Sequence, residues 1–149
     1  MASRAPITRT VAVPSKPPAI VGVCRRILSE IEAYGFDQED LFAVHLAIEE
    51  AFINAIKHGN KMDANKEVKI DYSVNPDKIE IFMTDLGDGF DPNSVPDPRR
   101  GENLYKTEGR GLLLMRSYMD VIEFNNQGNR VRMVRYKEKP RLTETHRKA

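Results

Sequence analysis

The sequence predicts an α+β domain, a two-layer sandwich in which helices cover one face of a mainly antiparallel sheet. Apolar residues between positions 20 and 58 recur at the spacing of helices. Apolar residues at 68–83 and 121–136 instead alternate with polar ones, as in two hairpins. A short apolar helix, expected after residue 109, separates the two hairpins.

The composition is that of an ordinary globular domain. Of 149 residues, 40% are hydrophobic and 30% are charged, and the formal net charge is +1. Such a small charge does not favour direct binding to nucleic acid or to a membrane surface. The N-terminus lacks an apolar signal segment, and no stretch is apolar for long enough to span a bilayer. We therefore expect a cytoplasmic protein with one domain at residues 1–137 and a charged, disordered tail at 138–149.

The first elements are predicted to be a strand and a helix. Residues Ile7 to Val13 alternate loosely and stop at Pro14, which is typical of an edge strand. Ser15 is a candidate cap for the helix that follows, and Gly35 supplies the left-handed residue that ends it. The only cysteine, Cys24, lies beside the apolar stripe of this helix and is expected in the core rather than as a reactive thiol.

A second helix is predicted from Asp37 to His58. Asp37 and Asp40 have the spacing of a capping box, and Gly59 ends the helix. The stripe expected to face the core consists of Val44, His45, Ile48, Phe52, Ala55 and Ile56.

The same helix carries a polar face. Glu50, Asn54 and His58 lie at i, i+4 and i+8, so a carboxylate, a carboxamide and an imidazole follow one another along one side. Lys57 lies beside them, and the small residues nearby would leave room for a ligand. A solvated surface is the alternative interpretation, and this helix alone does not decide between the two.

The first hairpin turns at Asn75-Pro76-Asp77 and delivers the chain to Asp85-x-Gly87-x-Gly89. As a structural turn, this motif uses glycines that tolerate positive φ and an aspartate that caps backbone N–H groups. As a binding element, its carboxylate accepts a hydrogen bond from a ligand amine, while the glycines let a flat ring lie against the backbone. Both interpretations stay open at this point.

A long loop and a second glycine motif separate the two hairpins. Residues 91–108 show no period and carry Arg99 and Arg100, which is typical of a lid, a binding loop or a disordered segment. Gly109-Arg110-Gly111 then opens an apolar helix, where unpaired N–H groups and the helix dipole favour an anion such as phosphate. Turn chemistry alone also explains such a motif.

The order of the motifs is more specific than any one of them. A helix with Glu50-x-x-x-Asn54, then Asp85-x-Gly87-x-Gly89, a loop and Gly109-x-Gly111 resembles the Bergerat-fold ATP-binding superfamily of DNA gyrase, heat-shock chaperones, mismatch-repair proteins and histidine kinases. The EAxxNAxxHG form of the helix and the GRGL form of the last motif are similar to the anti-sigma factor serine/threonine kinases. The resemblance extends from Ile7 to about Tyr136.

The resemblance implies a role for each matching residue. Glu50 would be the base that accepts the proton of a partner's serine or threonine hydroxyl, and Asn54 would bind Mg²⁺ through its side-chain oxygen. Asp85 would bind the adenine amino group. The positions that border the base would be Gly87 and Gly89, and those that hold the phosphates would be Gly109, Arg110, Gly111 and Leu112.

The function implied by the resemblance is that of an ATP- and Mg²⁺-dependent protein serine/threonine kinase. Such a kinase binds a sigma factor and phosphorylates an anti-anti-sigma partner. The family commonly works as a dimer, so a homodimer is expected. A function of another class stays open, a nucleotide-gated protein-binding module without phosphotransfer, in which ATP only orders the loop. The sequence does not identify the target protein.

Overall fold

The structure is a computed structural model and describes residues 5–87 and 115–137. Residues 115–118 are helical, in agreement with the short helix expected between the hairpins. The other elements, in chain order, are strand β1 (Ile7–Pro14), a 3₁₀ turn (Pro17–Ala19), helix α1 (Ile20–Ala33), helix α2 (Gln38–Asn54), a π-helical turn (Ala55–Gly59), and strands β2 (Glu67–Val74), β3 (Lys78–Thr84), β4 (Val121–Phe124) and β5 (Arg130–Tyr136).

The described strands form one antiparallel sheet of five, in the order β1-β2-β3-β5-β4. β1 is an edge strand, as predicted, and pairs with β2 from Ile7 opposite Val74 to Pro14 opposite Glu67. The turn between β2 and β3 forms where expected, because the Asn75 side chain accepts hydrogen bonds from the N–H groups of the two residues that close it.

The core lies between the helices and one face of the sheet. Alternate residues of β2 and β3 are buried, whereas the residues between them are half-buried or exposed, so only one face of these strands is covered. Cys24 is buried, as predicted. These findings confirm the α+β sandwich. The fully enclosed side chains that α1 and α2 contribute are those of Ile27, Ile31, Val44, Ala47, Ile48 and Phe52.

The predicted boundary between the two helices is confirmed. Gly35 has a φ of 90°, which ends α1. The Asp37 side chain accepts a hydrogen bond from the Asp40 N–H, and the Asp40 side chain accepts one from the Asp37 N–H, so the capping box is complete.

Ser15 does not cap a helix, so that prediction was wrong. The 3₁₀ turn begins after Lys16, which makes no side-chain cap bond. The Ser15 hydroxyl instead donates to the Lys66 carbonyl oxygen at 2.8 Å and accepts from Asn60 Nδ2 at 2.8 Å. Ser15 follows Pro14, which pairs with the first residue of β2, so both its N–H and its hydroxyl reach the carbonyl oxygen of Lys66 just before that strand.

Two details of the second helix also differ from the prediction. The chain does not stay α-helical to His58, because it widens into a π-helical turn from Ala55 to Gly59. His45 is not a core residue, since its side chain is 46% exposed and its Nε2 lies 3.0 Å from a carboxylate oxygen of Glu49, one turn further along the helix.

No helix among the residues described is both long and apolar enough to cross a bilayer.

Candidate functional site

Two of the predicted site residues meet in one pocket. Asn54 is the last residue of α2, and Asp85 follows β3. The end of β3 lies beside the start of β5, with Thr84 opposite Arg130, so the turn before β5 forms part of the wall. The pocket encloses about 300 Å³ including its open mouth, and the described residues that line it are Ala51, Asn54, Ala55, Met83, Asp85, Met115, Phe124, Gly128, Asn129, Arg130 and Val131.

The walls of the pocket are mostly apolar. Ala51 and Ala55 present small side chains from the helix, while Met83 and Met115 contribute flexible thioethers. Mostly apolar walls with a few convergent polar groups are typical of sites for small organic molecules. Ala51 lies on α2 about one turn before Asn54, and Ala55 follows Asn54 as the first residue of the π-helical turn, so both small side chains lie near Asn54 in the wall.

Asp85 is the buried polar group of the pocket, with only 5% of its surface exposed. Its Oδ1 accepts a hydrogen bond from the Gly87 N–H at 2.9 Å. Burial raises the pKa of Asp85, and the Gly87 N–H and the positive charge of Lys66 oppose that rise. The two interpretations of the motif are therefore compatible, because the same carboxylate caps the turn and borders the pocket.

Two glycines pack tightly around this carboxylate. A Cβ added at Gly59 would lie 2.1 Å from Asp85 Cγ, and a Cβ added at Gly87 would lie 1.9 Å from the Gly59 carbonyl oxygen. The sequence predicted Gly59 only as the end of a helix and did not predict its contact with Asp85. Gly87 supports Asp85 through its N–H and is not among the residues that line the pocket.

Glu50 and Asn54 keep their polar groups available. Within the part of the chain that the structure describes, no hydrogen bond or ion pair engages either side chain. Asn54 lines the pocket, whereas Glu50 is half-buried one helical turn earlier, outside the lining. His58 is exposed, lies in the π-helical turn and is not among the residues that line the pocket.

The site offers few protein groups for a metal ion, which suits Mg²⁺ coordinated mainly by phosphate oxygens and waters. Among residues 5–87 and 115–137, no three His, Cys, Asp or Glu side chains cluster in a way that could hold a metal ion. Asn54 offers one carboxamide oxygen at the pocket wall. Mg²⁺ commonly takes one or two protein oxygens together with phosphates and waters, so a single protein ligand fits this ion.

The remaining predicted site residues are Gly89, Gly109, Arg110, Gly111 and Leu112, and they lie outside the described residues. The same holds for Arg99 and Arg100 of the long loop and for residues 138–149. The chain is described again from residue 115, where Met115 lines the pocket at the start of the described helical segment.

Asn60 is a buried polar residue that the sequence analysis did not single out. It is fully buried, and its side chain bonds to Ser15, to the Glu67 carbonyl oxygen and to the Leu86 N–H. No periodicity or motif marks it, because its partners come from three separate segments. Its position directly after Gly59 was the only available signal.

Known proteins share this fold and sequence pattern. Residues 13–135 match the family described as histidine kinase-like ATPase domain. The chain is 32% identical over 142 residues to the serine-protein kinase RsbW of Bacillus licheniformis, with 88% of this chain and 86% of that protein covered. It is also 32% identical over 132 residues to the serine-protein kinase RsbW of Bacillus subtilis, with 83% of each covered.

A solved structure agrees at the level of the fold. The crystal structure of the RsbU and RsbW domains of a Mycobacterium tuberculosis protein matches with a TM-score of 0.52 and 12% sequence identity. The match covers 90% of this chain and 33% of that one. At so low an identity, the likeness supports the α+β architecture alone.

Proposed function

The chain belongs to the histidine kinase-like ATPase domain family as a relative of the serine-protein kinases RsbW, and we propose that it is an anti-sigma factor of the protein serine/threonine kinase class. It binds ATP, transfers the γ-phosphate to an anti-anti-sigma partner and binds a sigma factor. The observation that carries this proposal is the convergence of Asn54 and Asp85 on one pocket, with Glu50 one helical turn before Asn54.

The base of ATP occupies the apolar part of the pocket. The adenine amino group donates a hydrogen bond to the Asp85 carboxylate, which is buried and therefore a strong acceptor. Met83 and Met115 lie against the ring, and the small side chains of Ala51 and Ala55 leave space for it. Gly87 holds Asp85 through its N–H, and by its place in the motif Gly89 is assigned to the border of the base.

The phosphates extend from the base towards Asn54. The Asn54 oxygen would hold Mg²⁺, and that ion would neutralise part of the phosphate charge. Gly109, Arg110, Gly111 and Leu112 hold the phosphate oxygens, because backbone N–H groups at a helix start and a guanidinium favour anions.

Glu50 acts as the general base. Its carboxylate has no partner among the described residues, so it is available to take the proton of the partner's hydroxyl. That oxygen then bonds to the γ-phosphorus while the bond to the bridging oxygen breaks, and ADP leaves with the electron pair. General bases of this kind contribute roughly 10²- to 10⁴-fold to the rate.

The experiment incubates the purified protein with γ-labelled ATP, Mg²⁺ and a lysate of its source cell. The variants are Glu50→Gln and, as the matched control, Glu49→Gln, whose side chain is 48% exposed and paired with His45. We expect a labelled protein band with the wild type and Glu49→Gln and none with Glu50→Gln. Calorimetric titration should show that Glu50→Gln leaves the affinity for ATP nearly unchanged.

The other outcomes are equally informative. If Glu50→Gln loses affinity for ATP as well as phosphate transfer, Glu50 is a structural residue. If all three proteins bind ATP but none labels a band, the nucleotide-gated binding module is the better description. Failure of the wild type to bind ATP would contradict both functions.

The partners imply further properties that we propose with the function. A kinase that binds a sigma factor works in the cytoplasm, and relatives of this type commonly pair, so we expect a homodimer. We also expect residues 1–137 to suffice for ATP binding without the charged segment at 138–149. Light scattering of the full chain and ATP titration of a chain ending at residue 137 test these two points.

A further inference from the structure

Asn60 joins three segments next to Asp85, which lines the pocket. Its side chain is fully buried, and Nδ2 donates to Ser15 Oγ at 2.8 Å and to the Glu67 carbonyl oxygen at 3.1 Å. Its Oδ1 accepts from the Leu86 N–H at 2.8 Å. Both hydrogens and the oxygen of the carboxamide are therefore used, which fixes the orientation of the group.

The bond to Leu86 is the one that concerns the pocket. The Leu86 side chain is 66% exposed, so its packing does little to hold this part of the backbone. The Leu86 N–H belongs to the peptide group that directly follows Asp85. Asn60 therefore holds the backbone on the C-terminal side of Asp85, at a point where side-chain packing does not.

Two other hydrogen bonds complete the support of Asp85. The Asp85 N–H donates to the Asn129 carbonyl oxygen at 2.9 Å, which holds the backbone on the N-terminal side. The Gly87 N–H donates to Asp85 Oδ1 at 2.9 Å, which orients the carboxylate. If the Asn60 bond is removed, the peptide between Asp85 and Leu86 can rotate, and the position of Gly87 relative to the carboxylate changes with it.

We propose that Asn60 is a positioning residue for recognition of the nucleotide base. It holds the Asp85 carboxylate so that the site selects a base with an exocyclic amino group. This inference rests on the proposed function, because it takes Asp85 as the acceptor for that amino group. The competing explanation is that Asn60 stabilises the fold and has no specific effect on the base.

The experiment compares the affinities for ATP and ITP in the presence of Mg²⁺ by calorimetric titration. ITP carries a carbonyl oxygen where ATP carries the amino group, and an N1–H where ATP carries an unprotonated nitrogen. The ratio of the two affinities therefore reports on how the site recognises this edge of the base, which includes the Asp85 contact. We expect the wild type to prefer ATP by about tenfold or more, because a hydrogen bond to a charged group is lost with ITP. We expect Asn60→Ala to reduce this preference to about threefold or less.

Ser15→Ala is the matched control. It removes one partner of Asn60 Nδ2 but leaves the bonds to Glu67 and Leu86 in place. We expect it to lower the melting temperature, as Asn60→Ala does, while keeping the wild-type preference for ATP. Comparison of the two variants therefore distinguishes a general loss of stability, expected in both, from a loss of base selection, expected only in Asn60→Ala.

The results that would overturn the inference are distinct from those that would overturn the proposed function. If Asn60→Ala weakens ATP and ITP binding by the same factor, Asn60 has only a structural role. If the wild type itself binds ATP and ITP equally, Asp85 does not recognise the base, and both this inference and the proposed base site fail.

Asn60→Asp keeps the inference testable should Asn60→Ala fail to fold. Its side chain retains an oxygen for the Leu86 N–H, but it places a second oxygen against the Glu67 carbonyl oxygen. We therefore expect a lower melting temperature with an unchanged preference for ATP over ITP. Loss of that preference in Asn60→Asp would contradict the role assigned to the Leu86 bond.

Discussion

Gly59 lies directly against the carboxylate of Asp85, so that a Cβ at position 59 would come within 2.1 Å of Cγ and within 2.3 and 2.4 Å of the two carboxylate oxygens. Gly59, which ends the helix, therefore also packs directly against the Asp85 carboxylate. The π-helical turn from Ala55 to Gly59 brings the chain to this point directly after Asn54. The end of the helix and the Asp85 carboxylate are consequently parts of one site.

The first prediction concerns Gly59→Ala. We expect it to weaken ATP binding by at least about tenfold and to lower the free energy of unfolding by about 1–3 kcal/mol, because the added methyl group must displace Asp85. Calorimetric titration and urea denaturation measure the two effects.

Gly22→Ala is the control for this substitution. Gly22 lies inside α1 with no atom within 4 Å of the added Cβ. Here alanine should raise the free energy of unfolding by about 0.5–1 kcal/mol and leave ATP affinity unchanged. Wild-type ATP affinity in Gly59→Ala would show that Asp85 can move without loss of the ligand.

The second prediction concerns the nucleotide preference of Asp85→Asn. Because Asp85 Oδ1 accepts the Gly87 N–H, an asparagine would keep its oxygen there and turn its NH₂ group towards the ligand. We expect ATP affinity to fall by roughly 10- to 100-fold, while ITP, which offers an acceptor at that place, loses much less. Asp77→Asn, in the exposed turn before β3, should change neither affinity. An equal loss for both nucleotides would contradict the assigned contact.

The fold was predictable because its elements carry local signals. The change from helical to alternating spacing indicated which segments are helices and which are strands, and Gly35 and Asp37 marked a boundary through their own backbone and cap chemistry. Asn54 and Asp85 line the same pocket. Their proximity was predictable from the order of the motifs along the chain. Periodicity alone would not have brought those two residues together.

The features that were missed depend on partners far away in the sequence. Ser15 was a plausible helix cap, but its hydroxyl bonds to Lys66 and Asn60. Asp40 was predicted as part of a capping box, and its pairing with Arg135 across the domain was not. Such contacts arise from the tertiary arrangement of β1, α2 and β5, so no local pattern indicates them.

The third prediction concerns that buried ion pair. Arg135 Nε lies 2.7 Å from Asp40 Oδ1, and Arg135 Nη1 donates to the Tyr118 carbonyl oxygen at 2.6 Å. We expect Arg135→Met to lower the free energy of unfolding by about 3–5 kcal/mol, because it leaves the Asp40 carboxylate buried without its cation. Urea denaturation measures this change.

The exposed pair of His45 and Glu49 provides the comparison. Both side chains are close to half exposed, so Glu49→Gln should cost less than about 1 kcal/mol. If the two substitutions lower the free energy of unfolding by similar amounts, the Arg135–Asp40 pair does not stabilise the packing of β5 against α2 and the helical segment that ends at Tyr118.

The fourth prediction follows from the raised pKa of Asp85. Burial shifts this pKa above its ordinary value of 3.8, so between that value and the raised one the folded protein holds a proton that the unfolded chain has lost. Stability contributed by this group therefore falls as the pH rises through that window and stays low above it. Asparagine at this position has no such ionisation. We expect the stability of Asp85→Asn relative to the wild type to increase with pH across the window and then to level off.

Urea denaturation of both proteins over a series of pH values tests this expectation, and the difference between them removes the contribution of every other titrating group. A difference that does not vary with pH would mean that Asp85 titrates at its ordinary value despite being 5% exposed. A rising difference, together with the loss of ATP affinity expected for the same variant, would show that the buried acceptor destabilises the free protein. In that case the hydrogen bond that the ligand donates to Asp85 offsets the free-energy cost of burying this carboxylate in the free protein.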